Sequence, residues 1–144
     1  MFIEKIKIKE FRGIKETKEW IGLKKFNILL GRNNSGKTTL LEALSLLPDP
    51  ALLIPLIGKA RIDLISYLHN ADIWKLVYGY EGEALIDYYY KTKKAEKYET
   101  PQNIWFKIGK EVKTSHKISG QTNSLAKEVI YIPNKELFTD RILF

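Results

Sequence analysis

Eight consecutive residues, Gly31-Arg32-Asn33-Asn34-Ser35-Gly36-Lys37-Thr38, carry the clearest chemistry in this chain. They fit G-x-x-x-x-G-K-[ST], the pattern of a loop that cradles phosphate. A triphosphate brings several negative charges that must be held without a covalent bond. Successive backbone N–H groups curling around the β-phosphate form an anion nest, and the helix that follows adds unpaired N–H groups and the positive end of its dipole. Gly31 and Gly36 allow backbone angles and close approaches that a Cβ would obstruct. The pattern assigns Lys37 to the β- and γ-phosphates, the Thr38 hydroxyl to Mg²⁺, and Thr39 to the α-phosphate. ATP and Mg²⁺ are therefore the expected cofactors, with Thr38 as the metal-contacting side chain.

Elements of the right type flank this loop. The apolar run Phe26-Asn27-Ile28-Leu29-Leu30 predicts a buried strand entering it, and Thr39 to Leu47 predicts a helix leaving it and ending near Pro48. Upstream, Phe2, Ile3, Ile6 and Ile8 alternate with charged residues, the period of a half-exposed strand that continues through a kink at Gly13. Residues 51–78 carry a loose helical stripe of Ile62, Ile65, Leu68, Ile73, Leu76 and Val77. Asn70 is expected to end one helix and Asp72 to start another. Ala84–Lys93 and Ile104–Ile108 predict strands, with a polar loop over 94–102 between them. Gly109-Lys110 is expected to turn the chain into a strand over 111–117. Ser119–Asn123 reads as a loop, Val129–Pro133 as a short buried strand, and Glu136–Phe144 as the start of a helix. The organisation expected is one lobe: opening strands, loop and helix over 1–47, a helical insertion over 48–80, a β-hairpin arm over 81–127, and a last strand with the start of a helical part over 128–144.

Composition narrows the class. A chain of 144 residues with 44% hydrophobic content suits one folded domain or one lobe of a larger one. Without cysteine there are no disulfides and no thiolate metal sites, which fits a cytoplasmic location. The amino terminus lacks the apolar region of a secretory signal, and the longest apolar stretch, residues 51–57, is short and interrupted by Pro55. No membrane is expected as a partner. The net charge of +7 is uneven. Residues 1–47 hold ten Lys/Arg against five Asp/Glu, residues 91–127 nine against three, and residues 48–90 three against six. Basic faces favour a polyanion, so DNA or RNA is a candidate partner, with Lys91, Lys93, Lys94, Lys97, Lys107, Lys110 and Lys113 as hairpin contacts.

These pieces in this order resemble the amino-terminal lobe of the ABC-type P-loop ATPases, in the branch of the SMC, RecF and OLD-family proteins. The stretch Ile6 to Ile14, with Phe11-Arg12-Gly13, resembles that branch's opening strand and its "-FRG-" element. Asn27 to Leu44 is similar to its loop and helix, and Ile130-Tyr131-Ile132-Pro133-Asn134 to the strand entering its Q-loop. The resemblance implies an α/β fold with a mixed sheet and an antiparallel β arm around the phosphate-binding loop and its helix. It would bring Arg12 to the nucleotide phosphates, Asn33 to the γ-phosphate region, and Asn134 to the position where a glutamine usually touches Mg²⁺ and water. Asparagine is one methylene shorter there. The family's signature loop, Walker B aspartate, adjacent glutamate and late histidine have no counterpart in this sequence. That pattern reads as a truncation, a split-gene half or a stand-alone relic, with a second chain or a carboxyl-terminal half supplying those parts, and with an ATP-dependent dimer as a further expectation.

The remaining chemistry-bearing residues favour plainer roles. Asp87 ends an apolar run as a metal-linked aspartate would, yet Tyr88 follows it where an acid is needed. Of Tyr88, Tyr89 and Tyr90, one is expected inside and two on an exposed face. Trp105 and Phe106 read as core and cross-strand packing, and His69 and His116 as surface residues. Two functions remain. One is the ATP-binding lobe of a nucleic-acid-related ATPase that hydrolyses very slowly by itself. The other is an interaction module that binds ATP without productive hydrolysis.

Overall fold

The computed structural model describes residues 2–47, 49–94, 98–118 and 127–131. Among these residues, nine strands and two α-helices run in the order β1 (Phe2–Phe11), β2 (Ile14–Glu16), β3 (Ile21–Gly22), α1 (Lys37–Ser45), β4 (Leu53–Ile54), β5 (Lys59–Ala60), α2 (Arg61–Leu68), β6 (Ala84–Lys94), β7 (Tyr98–Ile108), β8 (Val112–Ile118) and β9 (Lys127–Tyr131). Two short 3₁₀ turns, Ile73–Leu76 and Tyr78–Tyr80, join α2 to β6.

One seven-stranded sheet organises these elements in the order β2-β1-β6-β7-β8-β9, with β3 also pairing along β1. Period-two patterning sets its two faces. Ile6 and Ile8 of β1, Ala84, Ile86, Tyr88 and Tyr90 of β6, Ile104, Phe106 and Ile108 of β7, and Val112 of β8 are buried on one face. The rings of Tyr88 and Phe106 lie 5.1 Å apart there. Against this face pack Leu40, Ala43 and Leu46 from α1 and its carboxyl end, and Ile62 and Ile65 from α2. The Tyr88 hydroxyl donates to the Ala43 carbonyl and fixes α1 to the sheet. Burying each such side chain contributes about 1.5–3 kcal/mol, so the clamp on α1 is mainly apolar and the hydroxyl sets its register.

Several expectations change. Every strand pair among the described residues is antiparallel, so the mixed sheet becomes an antiparallel one within an α/β architecture. Residues 26–30 form no strand, and Phe26, Ile28 and Leu30 are 80%, 69% and 88% exposed. Asn27 closes a local ring instead, its Oδ1 accepting from the Lys24 N–H at 2.9 Å and its Nδ2 donating to the Lys24 carbonyl at 2.8 Å. Such side-chain bonds compete with a strand ladder. The helical stripe over 51–78 yields only α2, because β4 and β5 pair before it and Asn70 turns the chain at φ 48° after it. His69, not Asn70, caps α2, and Asp72 precedes a 3₁₀ turn without a side-chain cap. The loop expected over 94–102 is mostly ladder, since Lys94 pairs with Tyr98 and the register continues to Ala84–Ile108. Two tyrosines, 88 and 90, point inward and only Tyr89 outward, the reverse of the expected division. The expected loop over 119–123 and helix over 136–144 lie outside the described residues, as does Asn134.

Candidate functional site

The loop is held by its glycines and by Lys37. A Cβ on Gly31 would stand 2.6 Å from Ser35 Oγ and 3.3 Å from Ser35 Cβ, so a larger residue there requires the serine hydroxyl to turn and Ser35 to give way slightly. Gly36 has φ 88°, and a Cβ there would meet Ile14 Cγ1 at 3.1 Å. Asn34 also takes a positive φ, 62°. The Lys37 ammonium folds back across the loop, donating to the Gly31 and Arg32 carbonyls at 2.7 Å each and to Ser35 Oγ at 3.3 Å. Helix α1 starts at Lys37 with Gly36 as N-cap and no side-chain cap, so its first N–H groups have no acceptor from the helix itself or from a capping side chain. An anion seated there would meet these groups and the helix dipole together.

A cavity of about 790 Å³ opens above this loop, lined by Arg12, Gly13, Asn33, Asn34, Ser35, Gly36, Lys37, Thr38, Thr39 and His69. Arg12 reaches it from the two-residue turn between β1 and β2, where Phe11 pairs with Ile14. Its φ of 51° is a conformation that favours glycine, and its N–H is tied to the Leu76 carbonyl at 2.7 Å. A non-glycine residue held there costs roughly 1–2 kcal/mol, a strain typical of positions that aim a side chain for a purpose. Glu42, on α1, joins two side chains of the cavity wall. Its Oε2 lies 2.9 Å from Arg12 Nε, and its Oε1 contacts His69 Nε2. The Arg12 approach is close but not aligned as a hydrogen bond, so it acts as a charge contact. Among the described residues, the three basic side chains that line the cavity, Arg12, Lys37 and His69, all contact acceptors of the chain itself.

Of the expected site residues, Arg12 and Asn33 to Thr39 therefore line one cavity. Gly31 and Arg32 lie beneath it and supply carbonyls to Lys37. Thr38 is exposed at the cavity. Among the described residues no group of three acidic or histidine side chains could hold a metal by itself.

Asp87 stays out of this site. It lies in β6 opposite Lys7 and Trp105, on the sheet face turned away from α1. Burial raises its pKa above the ordinary 3.8, and Lys7 draws it partly back. Burial also pushes the Tyr88 hydroxyl well above the usual phenol range, and the neighbouring Asp87 charge adds to the shift. Sequence reasoning missed Glu42 and misplaced His69, which is half-buried at the cavity wall and not a free surface residue. Their contact joins positions 27 apart in sequence, and no local pattern signals it. The side chain of His116, in β8, lies outside the described residues.

The family profile described as an AAA ATPase domain matches residues 1–142. An uncharacterized protein of Methanocaldococcus jannaschii is 38% identical over 94 residues, which is 64% of this chain and 37% of that protein. The chain thus spans well under half the length of that relative. No solved structure matches. Among the described residues, no helix is long and apolar enough to cross a membrane.

Proposed function

The chain belongs to the AAA ATPase domain family, and from that premise we propose that it binds ATP·Mg²⁺ on the Gly31–Thr39 loop as one lobe of an ATPase directed at nucleic acid. The observation that carries this is the closed loop beneath the cavity, with Lys37 bridging Gly31 and Arg32. On loading, Lys37 exchanges these carbonyls for β- and γ-phosphate oxygens. The backbone N–H groups from Asn33 to Thr39 surround the phosphates, Thr38 Oγ ligates Mg²⁺, and Arg12 turns from Glu42 toward the triphosphate. We place the chain in the SMC, RecF and OLD-like branch on its Phe11-Arg12-Gly13 and Asn27–Leu44 elements.

Hydrolysis in this reading needs a second polypeptide segment, from the same chain or another. Among the described residues no Asp or Glu lines the cavity, and the nearby Glu42 is engaged with Arg12 and His69. Phosphoryl transfer depends on positioning water and stabilising charge, and a lobe without a water-positioning acid binds well and turns over slowly. Phe26, Ile28 and Leu30, exposed at alternate positions, offer a seat for a strand of that segment. The same lack of an acid supports a second reading, a nucleotide-dependent interaction module.

Calorimetric titration with ATP·Mg²⁺ tests the site. Lys37→Ala removes charge-assisted contacts worth about 1.5–3 kcal/mol and is expected to weaken binding roughly ten- to hundredfold. Unchanged affinity refutes the assignment. Phosphate release by the chain alone, with Lys37→Ala as blank, is expected far below a typical enzyme's turnover of about 10 s⁻¹.

A further inference from the structure

The sheet face turned away from α1 has a composition that the nucleotide site does not use. Its residues fall in three rungs, read from the register. Lys9 pairs with Leu85, Leu85 with Lys107, and Lys107 with Lys113. Lys7 pairs with Asp87 and Asp87 with Trp105, while Lys5 pairs with Tyr89 and Tyr89 with Asn103. Two aromatic rings thus stand on adjacent strands, Tyr89 between Lys5 and Asn103 and Trp105 between Asp87 and Ser115, with Lys107 next on this face along the strand of Trp105. Asp87 lies on this face, and Glu16 pairs with Lys9 at its edge. Among the described side chains the balance is six lysines, at 5, 7, 9, 91, 107 and 113, against Glu16, Asp87 and the Glu4 that lies 3.8 Å from Lys91.

Two features separate this face from an ordinary solvated one. Lys107 and Lys113 stand directly opposite each other, an arrangement that costs stability unless an anion comes between them. Trp105 and Tyr89 are only partly covered, and lysines cap them through cation–π contacts: Lys107 lies 5.0 Å from the Trp105 ring centre and Lys5 5.7 Å from that of Tyr89. A lysine in such a contact is close enough to bind a phosphate once a base takes its place over the ring.

We propose that this outer sheet face binds single-stranded nucleic acid, with bases stacking on Trp105 and Tyr89 and the flanking lysines taking the phosphates. The inference deepens the nucleic-acid side of the proposed function and does not require the ATP site. Geometry favours a single strand over a duplex. With strands about 4.8 Å apart, β1 and β7 stand roughly 10 Å apart on either side of β6, a span suited to one backbone. Stacking needs open base faces, which a duplex hides inside its own stack. Every base has such a face, so little sequence preference is expected.

The test uses the full chain and fluorescein-labelled dT12, U12 and a duplex containing dT12, titrated by anisotropy at several KCl concentrations. Circular dichroism accompanies each variant. The expected result is that dT12 or U12 binds more tightly than the duplex, with a log–log salt slope of about −0.7 per phosphate neutralised. Comparison of dT12 with U12 shows whether the natural ligand is DNA or RNA, and either supports the proposal. Trp105→Ala is expected to weaken binding roughly five- to hundredfold and Trp105→Phe much less, since phenylalanine keeps a stacking face. Oligonucleotide-induced quenching of tryptophan fluorescence should fall in Trp105→Phe, where Trp20 and Trp74 remain. Asp87→Asn should tighten binding, and Lys107→Gln with Lys113→Gln should loosen it and flatten the salt slope. Lys37→Ala should bind dT12 as the wild type does, so failure of the ATP site and failure of this face are told apart. No binding at low salt, a preference for duplex, wild-type affinity in folded Trp105→Ala, or loss of dT12 binding in Lys37→Ala alone would each overturn the proposal.

Discussion

Gly31→Ala tests the loop at the point where its closure is tightest. The added Cβ would lie 2.6 Å from Ser35 Oγ and 3.3 Å from Ser35 Cβ, against an optimum of about 3.5–4.0 Å between such atoms. Rotating the serine hydroxyl relieves the first contact but not the second, so residue 31 or 35 must give by roughly a few tenths of an ångström. Both residues anchor Lys37, through the Gly31 carbonyl and Ser35 Oγ. In the proposed complex Lys37 gives up these acceptors for phosphate, so the loss comes from the loop backbone: a shift at 31 or 35 moves the N–H groups aimed at the phosphates and is expected to cost about 1.5–3 kcal/mol of ATP affinity, roughly ten- to hundredfold. A double-mutant cycle isolates the cause. Ser35→Gly alone removes a long 3.3 Å contact and should cost little beyond its own backbone entropy. In the Ser35→Gly background, Gly31→Ala meets no atom at position 35 beyond the backbone and should cost almost nothing more. The entropy of the second glycine is common to both arms and cancels. The expected coupling is therefore about 1.5–3 kcal/mol, read by calorimetry with ATP·Mg²⁺ on all four proteins. Additive losses, or wild-type affinity in Gly31→Ala, would refute the reasoning, because the close approach would then be irrelevant to phosphate binding.

Glu42→Gln leaves the shape at the mouth of the cavity but removes the charge that holds Arg12 at 2.9 Å. ATP affinity should rise about two- to fivefold, matching an ion pair of up to about 1 kcal/mol, while the thermal midpoint falls. A weaker affinity would show that Glu42 aims Arg12 at the nucleotide instead of restraining it. Asp87 gives a pH-dependent prediction. Its folded pKa is raised above 3.8, mainly by burial, so the folded protein holds this proton more tightly than the unfolded chain does. That contribution to stability is full below about 3.8 and is lost as pH rises through the folded value. Asp87→Asn should therefore melt higher than the wild type at pH 7 and not at pH 3. The opposite order would mean that attraction to Lys7 outweighs burial.

What could be read from the sequence depended on how local the governing physics is. The closed turn over Gly31 to Lys37 was legible because its geometry is local, set by Gly31, Gly36 and Lys37 within a few residues of each other. The first strand was legible through its period of two, and Ile6 and Ile8 are indeed inside while Lys5, Lys7 and Lys9 are outside. Among Tyr88, Tyr89 and Tyr90, alternation was certain but its phase was not. The phase is fixed by α1, whose Ala43 carbonyl takes the Tyr88 hydroxyl from 45 residues away. Glu42 looked like one more helix former because its partners come from a turn before the helix and a cap after it. The stripe over 51–78 failed for a similar reason. Leu52 to Arg61 is closed by the β4–β5 pair and by the Arg61 N–H donating to the Leu52 carbonyl at 3.1 Å, and apolar spacing alone carries no sign of that.

Residues 26–30 show most clearly what a sequence leaves unspecified. Their apolar content matches a buried strand, but burial requires a second surface, and the described residues place none against Phe26, Ile28 or Leu30. The loop that follows is therefore supported unequally. On its far side, α1 is clamped to the sheet through Leu40, Ala43 and Tyr88. On its near side stand only the Lys24–Asn27 ring and the partly buried Leu29. Ordering five residues into a strand costs about 1–2 kcal/mol each. Burying three large apolar side chains returns about 1.5–3 kcal/mol each, before any ladder hydrogen bonds. The two terms are nearly equal, so the segment stands at the margin between open and paired. If the proposed site holds, a nucleotide that fixes Gly31 to Thr39 would lower the ordering cost for the residues just before them, and a docked strand would lower it for the loop. Nucleotide binding and docking at this edge would then be linked, each favouring the other by the same free energy.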